Sequence, residues 1–419
     1  MATGNSCWAR GVAEVVAIET LGHRGDGVAH GPDGPIYVPF ALPGERVSIE
    51  RNGERGKLLE VLAPSGERVP PPCRHFGRCG GCALQMLPLP ATRRLKRDFV
   101  LAALAQQGLS AEVAATVGVS PSSRRRVVLT AIRAGKEILL GYHERLSDRV
   151  VDIEECPILS PPLQARLNSL RALIGSLVIE RKPARLAALM SESGIDLNLE
   201  GVRPPSPRAV PALAELARHH GVARLSIGGE PVLSLAEPFI NVAGVPLAPP
   251  PGAFVQASAE AEAIMAELVV AHLATSRNVA DLFSGFGAFT LALARRASVR
   301  AVDSSQAALD ALQAASRRAK GLKRVVTERR DLFAFPLSPA ELKGFEGVVF
   351  DPPRAGARAQ AAALAASSVA QIAAVSCNPA SFSRDARILV DGGYKLDRVV
   401  PVDQFVYSAE TEVVGLFSR

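Results

Sequence analysis

The C-terminal part of the chain predicts an α/β fold of the Rossmann-like kind, a parallel sheet with helices on both faces. Three observations predict it. First, from residue 279 onward short apolar runs alternate with helical stretches: Val279-Ala-Asp-Leu-Phe283, Val299-Arg-Ala-Val302, Arg324 to Thr327, Val348-Val-Phe350 and Ile372-Ala-Ala-Val375. Such alternation makes βαβ units. Second, a Gly-x-Gly turn, Ser284-Gly-Phe-Gly287, joins the first run to its helix. Third, Asp303, Asp331, Asp351 and Cys377 stand at or just past successive run ends. Ligands of open α/β sheets bind at the carboxyl ends of the strands, so these side chains belong on one rim.

The rim has chemistry. Gly285 and Gly287 let a ligand approach the backbone closely, and Asp303 suits a pair of ribose hydroxyls. Two glycines without a third favour a mononucleoside-like ligand such as S-adenosylmethionine over a dinucleotide. Asp331, at the next strand end, is a candidate adenine contact. Cys377 sits between an apolar run and Asn378-Pro379, and Asp351 opens Asp351-Pro-Pro-Arg354. A thiol and an acid on one rim suggest covalent chemistry, whereas an ordinary buried cysteine is the plainer alternative.

Residues 8 to 67 read as a small OB-like β-barrel. Val12 to Ile18, Ile36-Tyr-Val38 and Arg46-Val-Ser-Ile49 are separated by dense turn signals, among them Gly31-Pro-Asp-Gly34 and Asn52-Gly53. Tyr37 and Phe40 are its few candidate stacking aromatics, so a grip on single-stranded nucleic acid would be mostly electrostatic. A purely structural barrel is the alternative.

Residues 68 to 245 form a central α+β region that opens with a metal-binding pattern. Cys73, Cys79 and Cys82 crowd a Pro- and Gly-rich loop, which invites a soft metal. Cys156, in a Cys-Pro pair, is the best fourth ligand. The spacing fits a 4Fe-4S cluster better than zinc, which stays the competing reading. Cys7 has no spacing partner and reads as a free thiol. Thr92 to Leu104 reads as an amphipathic helix with a cationic start, and residues 124–133 and 138–143 as a basic strand pair able to meet phosphates. Residues 201 to 211 are rich in proline and read as a surface loop.

Residues 246 to 419 make the catalytic unit. Asp281-Leu-Phe-Ser-Gly-Phe-Gly-Ala-Phe-Thr290, Asp351-Pro-Pro-Arg-Ala-Gly356, Val375-Ser-Cys-Asn-Pro379 and Asp403-Gln-Phe405 with Glu412 resemble the RNA 5-methyluridine (uracil-C5) methyltransferases. With Gly22 to Ala29 and Val38 to Glu45, which resemble a TRAM domain, the likeness points to the bacterial 23S ribosomal RNA enzymes. It implies a class I methyltransferase sheet with antiparallel C-terminal strands, and a 4Fe-4S cluster on Cys73, Cys79, Cys82 and Cys156. It implies S-adenosylmethionine contacts from Gln256, Phe283, Asp303 and Asp331, with Asp351 in the active site. The chain departs from the family pattern at Ala288 and Ser258 (Asn in the family) and at Glu410 (His in the family).

The expected reaction follows from the weakness of C5 of uracil as a nucleophile. Thiolate addition to C6 makes C5 electron-rich, and a base then removes the C5 proton. Cys377 is the expected nucleophile, Glu412 the base and Asp351 the group that orients the uracil edge. The expected partner is RNA, 23S rRNA foremost and the transfer-RNA T-loop as the second candidate. An inactive RNA-binding iron–sulfur protein is a third reading. The net charge of +7 agrees with a polyanionic partner. No apolar run approaches a membrane span, and the start lacks a signal-peptide pattern, so a cytoplasmic, monomeric enzyme is expected.

Overall fold

Apolar strands buried on both faces form the middle of the C-terminal sheet in the computed structural model, which describes residues 13–145 and 147–419. Cys7, the first residues of the barrel region and Leu146 lie outside the described residues. The strands of this sheet are β1 (Asn278–Leu282), β2 (Ser298–Asp303), β3 (Val325–Arg329), β4 (Gly347–Phe350), β5 (Gln371–Ser376), β6 (Lys395–Asp403) and β7 (Glu412–Ser418). Their spatial order is β3-β2-β1-β4-β5-β7-β6. Strands β1 to β5 run parallel, and β7 runs antiparallel to both β5 and β6.

That order puts the topological switch between β1 and β4, where the crevice at the strand ends is open for a ligand. The antiparallel β7 has a second consequence. Its first residue lies at the same rim as the last residues of β4 and β5. Ser376 pairs with Val413, so the register carried one step further sets Cys377 opposite Glu412.

The principal helices are α1 (Leu89–Gln106), α2 (Ala259–His272), α3 (Gln306–Arg318), α4 (Arg358–Ala365) and α5 (Pro379–Asp391). Ser258 caps α2 through Ala261 N–H, and Asn378 caps α5 through Ala380 N–H. Helix α1 packs on α5 and β6, and the short strand Val117–Gly118 extends the sheet beyond β6. Both come from the stretch assigned to the central region, so the catalytic sheet draws support from before residue 246. The expected helix with a cationic start is there, and one of its cations, Lys96, is fully buried.

The central region is a seven-stranded sheet. It is antiparallel apart from one parallel pair, Gly194–Glu200 with Val222–Ile227, and helix Val210–His219 lies between those two strands in the chain. The expected hairpin is there as Arg126–Ala134 and Glu137–His143.

In the N-terminal region a bent first strand pairs with Arg46–Asn52 through Ala13–Ala17 and with Gly27–Gly31 through Thr20–Leu21. The ring continues through Arg55–Ala63 and Gly34–Val38, with one parallel contact between these two. This is the Greek-key arrangement of an OB-type barrel, filled by Ile18, Ile36, Val38, Val47 and Ile49. Phe40 is not free to stack on a base: its ring meets Phe76 edge-on at 4.9 Å, in the cysteine loop. Tyr37 stays exposed.

Candidate active site

Each strand end presents one or two polar groups to the crevice. After β1 the chain turns through Phe283, a non-glycine residue at φ +61°, then Gly285 at φ +53° and Gly287 at φ +94°. A left-handed phenylalanine costs roughly 1–3 kcal/mol, and strain of this sort clusters at ligand sites. A Cβ on Gly285 would meet no atom within 4 Å, whereas one on Gly287 would strike Leu312 at 2.5 Å. Gly285 therefore opens onto free space, and Gly287 is required for packing. Asp303, at the end of β2, accepts from Gly285 N–H at 2.9 Å and Ser305 N–H at 2.8 Å. It keeps lone pairs for ribose hydroxyls. Asp331 accepts from the Phe333 and Ala334 N–H groups and lines an open groove with Ser304, Arg330, Phe335 and Glu341. Phe333 packs on Phe283 with ring centroids 5.4 Å apart. Open space at Gly285, lone pairs on Asp303 and the groove at Asp331 together fit a nucleoside-bearing cofactor.

The second half of the rim holds the thiol. Cys377 is half-buried, directly after β5. Burial pushes its thiol up, and the carboxylates of Glu412 and Asp351 push it further, to about 11; the Arg354 guanidinium pulls the other way. Asp351 follows β4, and burial raises its carboxyl to about 7. Burial raises Glu412 to about 8, with the Asp351 charge as the next cause. Three groups whose charges are felt by one another, all displaced from their ordinary acidity, mark a chemical site.

A chain of amides links them. Gln256 Nε2 donates to Asp351 Oδ2 at 3.4 Å, and Gln404 Nε2 donates to Gln256 Oε1 at 2.9 Å and to Glu412 Oε1 at 3.0 Å. Ser258 N–H donates to Gln404 Oε1 at 3.4 Å. Arg125 anchors the Gln256 loop from the central sheet, donating to Gln256 O at 3.2 Å and pairing with buried Glu262 at 2.9 Å. The two glutamates of the last motif part company here. Glu412 is buried in the amide chain, while Glu410 is half-exposed and paired with Arg354 at 2.6 Å. Asn378 Nδ2 and Ser381 Oγ both donate to Arg354 O, which ties the loop after β4 to the end of β5.

Gln404 and Arg125 were missing from the residues expected at the site. Gln404 was readable: it stands at the end of an apolar strand, like Asp303. Arg125 lies in a basic run and has no distinguishing signal.

The four cysteines of the expected metal site form a second locus. Cys73, Cys79, Cys82 and Cys156 line one enclosed cavity with Tyr142, Ile153 and Ile158. Burial first, then the neighbouring cysteines, raise Cys156 to about 12; burial raises Cys82 to about 11. No three His, Cys, Asp or Glu side chains among the described residues converge closely enough to hold a single metal ion. The locus touches the catalytic one: Ala83 and Leu84 N–H groups both donate to Tyr407 O at 2.9 Å, in the loop between β6 and β7.

Comparison with known proteins agrees with this geometry. Residues 248–419 match the family model described as tRNA (Uracil-5-)-methyltransferase. An uncharacterized RNA methyltransferase of Agrobacterium fabrum is 44% identical, over 97% of this chain and 99% of that protein. The 23S rRNA (uracil(1939)-C(5))-methyltransferase RlmD of Chromohalobacter salexigens is 34% identical, over 97% of this chain and 90% of that protein. A crystal structure of a Pyrococcus abyssi tRNA (uracil-54, C5)-methyltransferase with S-adenosyl-L-homocysteine superposes with a TM-score of 0.75. It covers 97% of this chain and all of that one at 22% identity.

Proposed function

We propose, from the premise that this chain belongs to the RNA uracil-5-methyltransferases, that it methylates C5 of a uridine in 23S ribosomal RNA through a covalent Cys377–C6 bond. One observation supports the covalent route above all. The β5–β7 register sets Cys377 opposite Glu412, with Asp351 close enough to raise both.

The residues divide the work as follows. Gln256, Phe283, Gly285, Asp303 and Asp331 would hold S-adenosylmethionine, with Gly287 packing the turn beneath it and Asp351 beside them. When bound it supplies an electrophilic methyl group and a positive charge. Arg354 favours the Cys377 thiolate, which adds to C6 of the extruded base and sends the electron pair to an enolate. Asp351, whose burial favours the protonated acid, donates to a ring carbonyl oxygen as that charge builds. C5 takes the methyl group, and Glu412 removes the C5 proton. The electrons of that C–H bond restore the ring double bond, and the Cys377–C6 bond breaks. The central sheet and the barrel grip an opened RNA region by charge and shape. The reaction belongs in the cytoplasm, with the enzyme a monomer.

We assign a 4Fe-4S cluster to Cys73, Cys79, Cys82 and Cys156. Four thiols lining one cavity are a soft donor set suited to an iron–sulfur body. It would cross-link the cysteine loop to the segment around Cys156.

RNA carrying 5-fluorouridine tests the reading, because fluorine at C5 cannot leave as a proton. A stable protein–RNA adduct with 23S rRNA fragments, absent in Cys377→Ala, is the expected result. No adduct with any RNA, with full activity in Cys377→Ala, overturns it. A transfer-RNA T-loop is the second arm of the experiment, favoured by the full-length likeness to the archaeal tRNA enzyme; an adduct there alone moves the substrate to tRNA.

A further inference from the structure

We infer that Lys96 is a positioning residue for the base Glu412, acting from outside the catalytic sheet through the segment Asp403–Phe405; the inference rests on the reaction proposed above. Lys96 lies on α1 with its side chain and that of Asp403 wholly buried. A lysine is almost never fully buried without a partner. Here it has two: its Nζ donates to Asp403 Oδ1 and, at 3.0 Å, to Phe405 O. Those acceptors flank Gln404, the residue whose amide holds Glu412 Oε1 at 3.0 Å and Gln256 Oε1 at 2.9 Å. One ammonium thus clamps the residue before and the residue after the amide that aims the base.

The clamp is also a charge. Asp351, Glu410 and Lys96 all act on Glu412, and the two carboxylates oppose its ionisation while Lys96 favours it. Asp403 takes most of the Lys96 charge locally. Its other oxygen makes no hydrogen bond and lies 4.0 Å from Arg93 Nε. Ser258 N–H and Gln256 Oε1 hold the Gln404 amide itself, and Lys96 fixes the backbone on either side of it.

Only steps after methyl transfer need the base, so the two halves of the reaction separate the roles. In Lys96→Met, adduct formation with 5-fluorouridine RNA should keep its wild-type rate. Turnover on ordinary RNA should fall about a hundredfold, the cost of misplacing a reacting group by about an ångström. A methylated covalent complex should accumulate on ordinary uridine RNA, and the acid limb of the kcat–pH profile should move to higher pH. Because Lys96→Met leaves Asp403 buried and unpaired, the same assays run on Lys96→Met/Asp403→Asn, which removes both charges.

Equal slowing of adduct formation and turnover, or wild-type turnover, overturns the inference. So does a double variant that fails to fold, since it gives Lys96 to the fold alone. If the wild-type enzyme forms no fluorouridine adduct, the reading of the reaction falls and takes this inference with it.

Discussion

Cys377 directly follows the apolar strand β5 and Cys156 lies four residues beyond the short strand Val150–Asp152, and burial is the largest cause raising each thiol, to about 11 and about 12 respectively. Their neighbours differ in kind. Around Cys377 stand a guanidinium and carboxylates: Arg354 favours the thiolate, while Glu412, Asp351 and Glu410 oppose it. Around Cys156 stand Cys82, Cys79 and Cys73, each of which opposes its ionisation. The first arrangement is set to form a thiolate briefly, when a cationic ligand arrives. The second can hold thiolates only if a permanent positive body neutralises several at once. Acidity alone does not tell a nucleophile from a ligand. The nature of the nearest charges does.

Two substitutions break the comparison most directly. Cys377→Ala should abolish methylation, by on the order of 10⁴-fold or more, the usual loss for a nucleophile. Iron content and melting temperature should stay at wild-type values. Glu412→Gln should lower turnover about 10²- to 10⁴-fold yet permit bond formation, so that a methylated covalent complex builds up on ordinary RNA. Denaturing gel analysis of the RNA–protein complex reads both. Glu412 also bears on stability. Its folded acidity of about 8 lies above the ordinary value of 4.5. Its contribution is therefore whole below about pH 4.5 and is lost as pH rises through 8. Thermal unfolding should accordingly show Glu412→Gln more stable than wild type at pH 8.5 and little changed at pH 5.

Cys156→Ser tests the other locus. On the cluster assignment proposed above, it should lose bound iron and unfold about 5–10 °C lower, since a structural metal body contributes directly to folding. Activity should fall less than in Cys377→Ala, by about tenfold. The link is the pair of N–H groups from Ala83 and Leu84 on Tyr407 O, which support the loop leading to Glu412. Full activity in an iron-free, folded Cys156→Ser would detach the cysteine loop from the catalytic one.

The legible parts of the molecule were those where one residue determines a local outcome. Strand ends could be read from Asp303, Asp351 and Cys377 because a polar residue must follow when a buried apolar strand reaches the rim. The turns of the barrel could be read from glycine, asparagine and aspartate. What stayed hidden depends on contacts between distant segments. Lys96 sits in Arg93-Arg-Leu-Lys-Arg97, a stretch that reads as the cationic start of a helix, and its partner Asp403 is over three hundred residues away. The strand Val117–Gly118 is too short to be seen before its partner β6 exists. Phe40 looked like a stacking platform because its neighbour Phe76 belongs to another region. Glu410 and Glu412 could be told apart by motif register, but the reason became visible only in the fold: one faces Arg354, the other the amide chain.

The smallest effect concerns that pair and sharpens the comparison further. The Arg354 guanidinium favours the Cys377 thiolate, and Glu410 pairs with it at 2.6 Å. Glu410 also acts on the thiol directly, in the unfavourable sense. Glu410→Gln should therefore lower the acidity constant exponent of Cys377 twice over, by freeing Arg354 and by removing a negative charge. The thiolate fraction near pH 7, and with it the rate of fluorouridine adduct formation, should rise by about threefold. Both side chains are partly exposed, so the gain should shrink as salt is raised. Stability should change by no more than about 1 kcal/mol, the worth of a surface pair. A slower Glu410→Gln at pH 7 would mean that Glu410 serves to hold Arg354 in position, and that geometry rather than charge governs the nucleophile.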